Sequence, residues 1–192
     1  MRGTRAQMFT LEGVLSALVV LAGMAFALQA VVVTPTDGGA PIGSADGDRL
    51  EQILEEATEN GSVKRAVLAW DGGAFDGTPS GSGYFVDGLP DNGLGTALRA
   101  GFDSSTSTNV FVHYESSSGP GTEPLAYNGA PESDAVRETV TVALYDQDSV
   151  YDESGDQASG TLESRGSGFF YVDDQHPATD LHAVVELEVV VW

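Results

Sequence analysis

The chain has 192 residues but no cysteine and only one lysine, Lys64. Without cysteine, a disulfide framework and a thiolate metal site are both excluded. Eight Lys and Arg residues stand against 29 Asp and Glu residues, which gives a formal net charge of −21. Binding to nucleic acid or to anionic headgroups needs clustered positive charge. The composition therefore predicts neither a nucleic-acid partner nor docking on an anionic lipid surface.

The acidic excess itself needs an explanation, because a high net charge is also typical of disordered chains. Here valine, leucine and aromatic residues recur in strand-like runs after residue 100, which favours a folded domain. At about 1 M salt the Debye length is only about 3 Å, so repulsion between surface carboxylates is screened. The charge pattern therefore predicts a folded surface adapted to molar salt, as in a halophilic organism.

Charge is missing altogether from residues 13–33. As a helix, this run would be about 31 Å long, which matches the hydrocarbon core of a bilayer. Arg2 and Arg5 precede it, and positive residues favour the cytoplasmic side. The pattern predicts four parts, namely a cytoplasmic or processing segment over 1–12, a transmembrane helix over 13–33, a linker over 34–47 and an extracytoplasmic domain over 48–192.

Other interpretations of the N-terminal segment stay open. A cleaved secretory peptide would end at a small-x-small site such as Ala25-Phe26-Ala27, but its apolar region spans only about 7–15 residues. A plain signal anchor needs only the apolar run and the preceding arginines. Glu12, at the head of the run, is placed well for the dipole of a first helical turn. A carboxylate buried in the membrane would instead need a partner.

Residues Arg5 to Glu12 resemble the processing region of type IV pilins, in which a dedicated peptidase cuts before the apolar stretch. Cleavage after Ala6 makes Glu12 the sixth residue of the mature chain, whereas cleavage after Gln7 makes it the fifth, as in that family. The resemblance implies that Glu12 neutralises the amino terminus of a neighbouring subunit. Together with the Val- and Glu-rich end at Trp192, the start Phe-Thr-Leu-Glu-Gly resembles small pilin-like membrane proteins of haloarchaea with no assigned function.

The remaining sequence predicts an α+β domain. Apolar residues at i, i+3, i+4 and i+7 predict helices over 48–60, 63–70 and 94–102, with Asp46 or Asp48 and Ser62 as the caps of the first two. Strand-like runs cover 83–86, 110–114, 136–145, 169–172 and 183–192. Helices first and strands afterwards predict a pilin-like fold, with the short helices packed on one face of an antiparallel sheet of three to five strands.

Candidate sites are few. Five acidic residues crowd the region 146–160, but the spacing fails the calcium loop of an EF-hand, so we expect a solvated acidic loop. The three histidines are His113, His176 and His182. Neither their spacing nor any serine or glycine motif indicates a metal site, a catalytic nucleophile or a phosphate cradle. His113 and His182 lie in or beside predicted strands, where they would meet only across the sheet, and we expect the histidines to be structural.

Asn60-Gly61-Ser62 is an acceptor sequence for N-glycosylation, which makes Asn60 a candidate modification site. We expect no enzyme activity and no cofactor. The sequence predicts a membrane-anchored, outward-facing pilin-like envelope protein with a structural or assembly role. It would meet the membrane, and itself or other pilin-like subunits, through the N-terminal helix and Glu12. The alternative is a monomeric, signal-anchored extracellular binding module of unknown ligand.

Overall fold

The structure, a computed structural model, describes residues 42–192. The predicted segment 1–12, with Ala6, Gln7 and Glu12, and the predicted helix 13–33 lie outside the described residues. The helices and strands follow in the order α1 (Ile42–Glu59), α2 (Ser62–Val67), α3 (Gly93–Gly101), β1 (Thr108–Ser116), β2 (Gly119–Ala126), β3 (Val136–Tyr145), β4 (Ser149–Tyr151), β5 (Gln157–Thr161), α4 (Leu162–Arg165) and β6 (Leu181–Val191).

Strand β6 forms the middle of a four-stranded antiparallel sheet with the order β2-β1-β6-β3. Its residues Val185, Leu187 and Val189 alternate with Glu186 and Glu188, so that one face of the strand is fully buried. Strands β4 and β5 form a separate two-stranded sheet.

The core lies between the helices and one face of the large sheet. Leu50, Leu54 and Ala57 lie one or two turns apart on α1 and are at most 1% exposed. They belong to the same hydrophobic cluster as Leu94 and Leu98 of α3 and the buried residues of β6. Each leucine removed from water in this way contributes about 1.5–3 kcal/mol of hydrophobic stabilisation.

The predicted fold class was wrong, although the described chain is α+β. That prediction began with a transmembrane helix, and none of the helices among residues 42–192 combines the length and apolarity that crossing a membrane requires. It also placed every strand in one sheet, whereas β4 and β5 pair only with each other. The two-stranded sheet occupies the region 146–160 that was predicted to be an acidic loop.

Several local predictions also need correction. Helix α1 begins at Ile42, inside the predicted linker, so Asp46 and Asp48 lie within the helix and cannot cap it. Gly61, with a φ of 75°, precedes α2 where Ser62 was expected as the cap. The predicted strand 83–86 is reduced to a single bridge between Phe85 and Ala126.

The predicted strand 169–172 is not a strand but an irregular segment held by aromatic packing. The indole Nε1 of Trp70 donates to the carbonyl of Phe169 over 2.8 Å, and the ring of Tyr171 packs edge-on against Trp70. Phe170 and Val172 are buried in the core. These contacts hold the segment beside the start of β6, where its last residue, Val172, reaches His182.

Candidate functional site

A β-bulge at the start of β6 turns the side chain of His182 into the protein. Leu144 of β3 pairs with Ala183 and Tyr145 pairs with Leu181, so His182 is an extra residue with no partner on β3. Consecutive residues of a regular strand point to opposite faces, but His182 and Ala183 are both buried. Bulges of this kind re-aim side chains, and here the bulge buries an imidazole.

Both ring nitrogens of His182 have close neighbours. Nε2 lies 3.1 Å from the carbonyl oxygen of Val172, the last residue of the aromatic segment. Nδ1 lies 3.1 Å from Oδ1 of Asp146. The side chain of His182 is only 9% exposed, and the ring of Phe170 approaches it edge-on. The imidazole is therefore fixed in orientation, with Nδ1 towards carboxylate and Nε2 towards the backbone.

Asp146 is placed by the backbone at the end of β3. Its amide donates to the carbonyl of Asp180, and its own carbonyl accepts from the amide of Glu163. Asp174 approaches from the segment that follows Val172, and its Oδ1 accepts from the amide of His176 over 2.8 Å. One carboxylate oxygen from each aspartate and one ring nitrogen of His182 lie within 4.8 Å of one another. We call these three residues the His182 cluster.

Among residues 42–192, the His182 cluster is the only group of three or more histidine or acidic side chains close enough to share a metal ion. The cluster is half open, because Asp174 is exposed while His182 is buried. A cation could enter from the exposed side, next to Asp174, and meet the fixed ring nitrogen of His182.

His113 and His182 do not meet across the sheet. His113 lies on the opposite, solvent-facing side of β1, where Nδ1 lies 2.9 Å from the hydroxyl of Thr122 and Nε2 lies 3.0 Å from Glu188. Glu188 also accepts from Arg137 over 3.1 Å. The third histidine, His176, is exposed and contributes a backbone amide, not its ring, to the His182 cluster.

The acidic residues of the region 146–160 serve separate local purposes. Asp148 pairs with Lys64 over 2.6 Å and accepts from the amide of Tyr145. Asp152 accepts from the amides of Ser154 and Asp156, which closes the turn between β4 and β5. Only Asp146 belongs to the His182 cluster.

Burial raises the pKa of two carboxyl groups and two tyrosine hydroxyls elsewhere in the domain. Burial raises the pKa of Glu123 on β2 and, with the charge of Glu51 as a second cause, that of Glu138 on β3. Burial also raises the pKa of Tyr114 and, more strongly, of Tyr171, and the nearby charge of Glu123 adds to both shifts. These carboxyl groups and phenols lie apart from the His182 cluster.

Asn60 lies exposed in the turn between α1 and α2, and its Oδ1 accepts from the amide of Ser62. Its glycosylation stays a prediction.

A cleft of about 630 Å³ lies between α3 and the loops that precede β1 and follow β2, with Arg99, Asp103 and Asn128 among its polar residues. Arg99 is held there by the carbonyls of Leu89 and Pro90.

Sequence reasoning named two members of the His182 cluster without connecting them. Asp146 was considered as part of a calcium loop, and His182 was considered as a structural histidine. Asp174 was missed, because it reaches the cluster through the packing of the aromatic segment, for which the sequence carries no local signal. The sequence carries no local signal for the bulge, which shows only in the pairing of β3 with β6.

No curated protein and no solved structure matches this chain. A family model of unknown function, DUF7288, matches residues 5–191. The match covers nearly the whole chain, including the three residues of the His182 cluster, and the protein is therefore a member of the DUF7288 family.

Proposed function

We propose that this protein is a membrane-attached envelope protein whose acidic domain faces outwards and has a structural or assembly role. The proposal takes the attachment from the sequence, where the uncharged run 13–33 follows Arg2 and Arg5. It takes the role of the domain from the way in which charge is distributed over the described residues.

The observation that carries the proposal is the separation of an apolar core from a carboxylate-rich surface. Residues 42–192 hold 27 of the 29 acidic residues but only six of the eight Lys and Arg residues. Within this described part of the chain, the buried residues include no acidic or Lys/Arg side chain, and their polar members are Ser62, Asn92, Thr108, Asn109 and His182. Among the described residues, Lys and Arg pair with three carboxylates, those of Asp91, Asp148 and Glu188.

A surface of mostly unpaired carboxylates repels itself in dilute solution and is screened at high ionic strength. Such a surface keeps a domain hydrated and soluble in concentrated salt. This supports a domain that works in a hypersaline medium and contacts its neighbours through its attached end. A structural or assembly role follows, because the N-terminal run supplies Gly13, Ser16 and Ala17 for close approach of one helix to another.

The second candidate is a monomeric extracellular binding module on a signal anchor. The cleft beside Arg99 favours it, because an open cleft of about 630 Å³ can accept a small ligand. The two candidates differ in whether copies of the chain associate.

The orientation is tested with single cysteines, because the natural chain has none. Ser117 lies exposed in the turn between β1 and β2. In intact cells, Ser117→Cys should react with a membrane-impermeant maleimide, whereas Thr4→Cys, in any chain that keeps residues 1–7, should react only after lysis. Labelling of Ser117→Cys only after lysis would contradict an outward-facing domain. The mass of the mature chain, measured on the same samples, shows whether residues 1–6 or 1–7 are still attached.

The assembly role is tested by co-purification of tagged and untagged copies from detergent-solubilised membranes. We expect the wild type to capture untagged copies and Glu12→Gln to lose this capture. Without Glu12, the amino terminus of the neighbouring subunit would be left as an unpaired charge between membrane helices, which is costly. Glu51→Gln removes the same charge from α1 and is the matched control. Equal recovery of untagged copies with Glu12→Gln and wild type would reject the role of Glu12. Monomers throughout would favour the binding module.

A further inference from the structure

We propose that His182, Asp146 and Asp174 bind a divalent transition-metal ion of the zinc class. This goes beyond the proposed envelope role and does not depend on it.

The Nε2 atom of His182 must carry a hydrogen. Its neighbour at 3.1 Å is the carbonyl oxygen of Val172, which can only accept a hydrogen bond. In the neutral imidazole, Nδ1 then carries a lone pair and no hydrogen. That lone pair faces Oδ1 of Asp146, a second acceptor, at 3.1 Å. Two acceptors at this separation repel each other unless a positive charge, either a proton on Nδ1 or a metal ion, lies between or beside them.

A metal ion supplies that charge in a way that suits the whole arrangement. Metal-bound histidines commonly donate their other ring hydrogen to a backbone carbonyl or a carboxylate, which fixes the ring and its tautomer. Here the Val172 carbonyl has this role, and Nδ1 is left as the ligand atom. The bulge that buries His182 holds the ring at less than a tenth of its free exposure, so the ligand is preorganised.

The carboxylate of Asp174 also favours a metal ion at this position. Asp174 comes from a different part of the chain, yet its carboxylate joins Asp146 and His182 within 4.8 Å. Among the described ion pairs, Asp146 has only His182 as a basic partner and Asp174 has none. Two carboxylates held this close without a cation repel each other, and a divalent ion would neutralise both.

The distances and the donor set identify the class of ion. With metal–ligand bonds of about 2.0–2.1 Å, a tetrahedral site separates its ligand atoms by about 3.4 Å. Nδ1 of His182 lies 3.1 Å from Oδ1 of Asp146, and the ligand atoms of all three residues lie within 4.8 Å of one another, so small side-chain movements suffice. One imidazole and two carboxylates suit zinc and its first-row neighbours, whereas calcium needs six to eight oxygen ligands. The exposed Asp174 leaves a fourth position for water.

The test is a metal titration of the full-length protein in detergent. Zinc binding is measured by calorimetry, and Co²⁺ serves as a spectroscopic probe whose visible absorption reports four-coordinate geometry. Both are measured in about 2 M KCl, where screening suppresses loose association of cations with the acidic surface. We expect a single tight equivalent and a Co²⁺ spectrum of tetrahedral type.

Two pairs of variants separate the site from its surroundings. Asp174→Asn should weaken binding at least about tenfold, while Asp173→Asn, at the neighbouring exposed aspartate, should leave it unchanged. His182→Gln keeps an amide that can donate to Val172 but lacks Nδ1, and it should lose the Co²⁺ spectrum. His176→Gln is its matched control. Because Asp174 is exposed, Asp174→Asn keeps the test valid even if His182→Gln fails to fold.

The opposite results would overturn the proposal. If the wild type shows no saturable binding, the positive charge at Nδ1 is a proton and the cluster is an imidazolium–carboxylate pair. If Asp173→Asn weakens binding as much as Asp174→Asn, the ion is held by the general acidic surface. Full retention of binding by Asp174→Asn would remove Asp174 from the ligand set and with it the proposed site.

Discussion

Two histidines of this domain each lie next to a carboxylate, at 3.0 Å for His113 and 3.1 Å for His182, but they are in opposite situations. His113 lies on the open face of the sheet with 36% of its side chain exposed, and His182 lies in a bulge with 9% exposed. The other nitrogen of His113 meets the hydroxyl of Thr122, whereas that of His182 meets the carbonyl of Val172.

That second neighbour decides what each histidine can do. A hydroxyl both donates and accepts, so neutral His113 can donate from Nε2 to Glu188 while Thr122 donates to Nδ1. A carbonyl only accepts, so neutral His182 has no hydrogen to offer Asp146. With both rings neutral, the pair at His113 is satisfied as it stands, whereas the pair at His182 needs a positive charge at Nδ1, from a proton or from a metal ion. Histidine–carboxylate proximity alone therefore does not indicate a metal site, because the partner of the opposite nitrogen must also be known.

The largest difference should appear when each ring is removed. His182→Ala leaves the buried Val172 carbonyl without its donor and opens a cavity beside Phe170, which should lower the free energy of unfolding by about 2–4 kcal/mol. His113→Ala removes a partly exposed ring and should cost less than about 1 kcal/mol. Chemical denaturation in molar KCl, with a chelator present, measures both values.

Equal costs for the two alanine variants would break the comparison, since they would show that burial and the carbonyl partner do not matter. His182→Gln is the control within the site. It keeps a hydrogen-bond donor for the Val172 carbonyl and fills part of the cavity. It should therefore lower the free energy of unfolding by less than His182→Ala does.

The second prediction concerns the carboxylates. In the metal-free protein with a neutral imidazole, Asp146→Asn places an amide hydrogen opposite the lone pair of His182 Nδ1. This replaces two facing acceptors by a hydrogen bond and should stabilise the fold by about 0.5–1.5 kcal/mol. Glu188→Gln, at the other histidine, weakens bonds that are already satisfied and should instead cost up to about 1 kcal/mol.

The sign of the Asp146→Asn effect is decisive. A stabilised variant means that the wild-type contact is repulsive without an ion, as the metal proposal requires. A loss of stability would show that Nδ1 of His182 carries a hydrogen and donates it to Asp146 in the metal-free protein. Thermal melting with and without chelator distinguishes these outcomes, and added zinc should stabilise only the wild type.

The contrast between the histidines also shows which parts of the molecule a sequence can reveal. The strand-like run 136–145 predicted β3 with the bounds that the structure has, and the run 183–192 predicted β6 to within two residues at either end. These signals are local and periodic. Strand β2 was missed because Gly119, Pro120 and Pro124 are poor strand formers, yet an edge strand tolerates proline since one side of its backbone needs no partner.

The site depends on long-range contacts, which leave little trace in the sequence. His182 and Asp146 are 36 positions apart and meet because β6 pairs with β3, a pairing that was not predicted strand by strand. Asp174 joins them because Trp70 holds the carbonyl of Phe169, a contact across 99 positions. Periodicity in one segment carries no information about either contact. Only the packed structure shows that these three residues share a site.

The third prediction concerns Glu123, a carboxylate that belongs to neither of the two histidine pairs. Burial raises the pKa of Glu123, so the folded protein holds this proton more tightly than the unfolded chain does. The resulting stabilisation is complete below the ordinary glutamate pKa, and it is lost as the pH rises through the raised pKa. Glu123→Gln should remove that loss and should therefore melt above the wild type at neutral pH but not in acid.

Melting temperatures between about pH 4 and pH 8 at constant KCl measure this effect, which should amount to a few degrees at most for a domain of this size. Glu132→Gln removes one negative charge from an exposed loop and controls for the change in net charge. If both glutamine variants gain equally at neutral pH, general repulsion and not the burial of Glu123 is the cause.

The smallest effect is expected at the open face. Arg137 is 54% exposed and donates to Glu188 over 3.1 Å, beside His113. A pair of this kind contributes at most about 1 kcal/mol in dilute buffer, and close to zero in molar KCl, because the Debye length there is only about 3 Å. The coupling between Arg137→Gln and Glu188→Gln in a double-mutant cycle should therefore shrink as KCl rises from about 0.3 M to about 3 M. The coupling between His182→Gln and Asp146→Asn should keep its size over the same range, because a buried contact is screened much less. If the two couplings fell in parallel, the contact between His182 and Asp146 would be screened like an exposed pair, and the distinction between the bulge and the open face would fail.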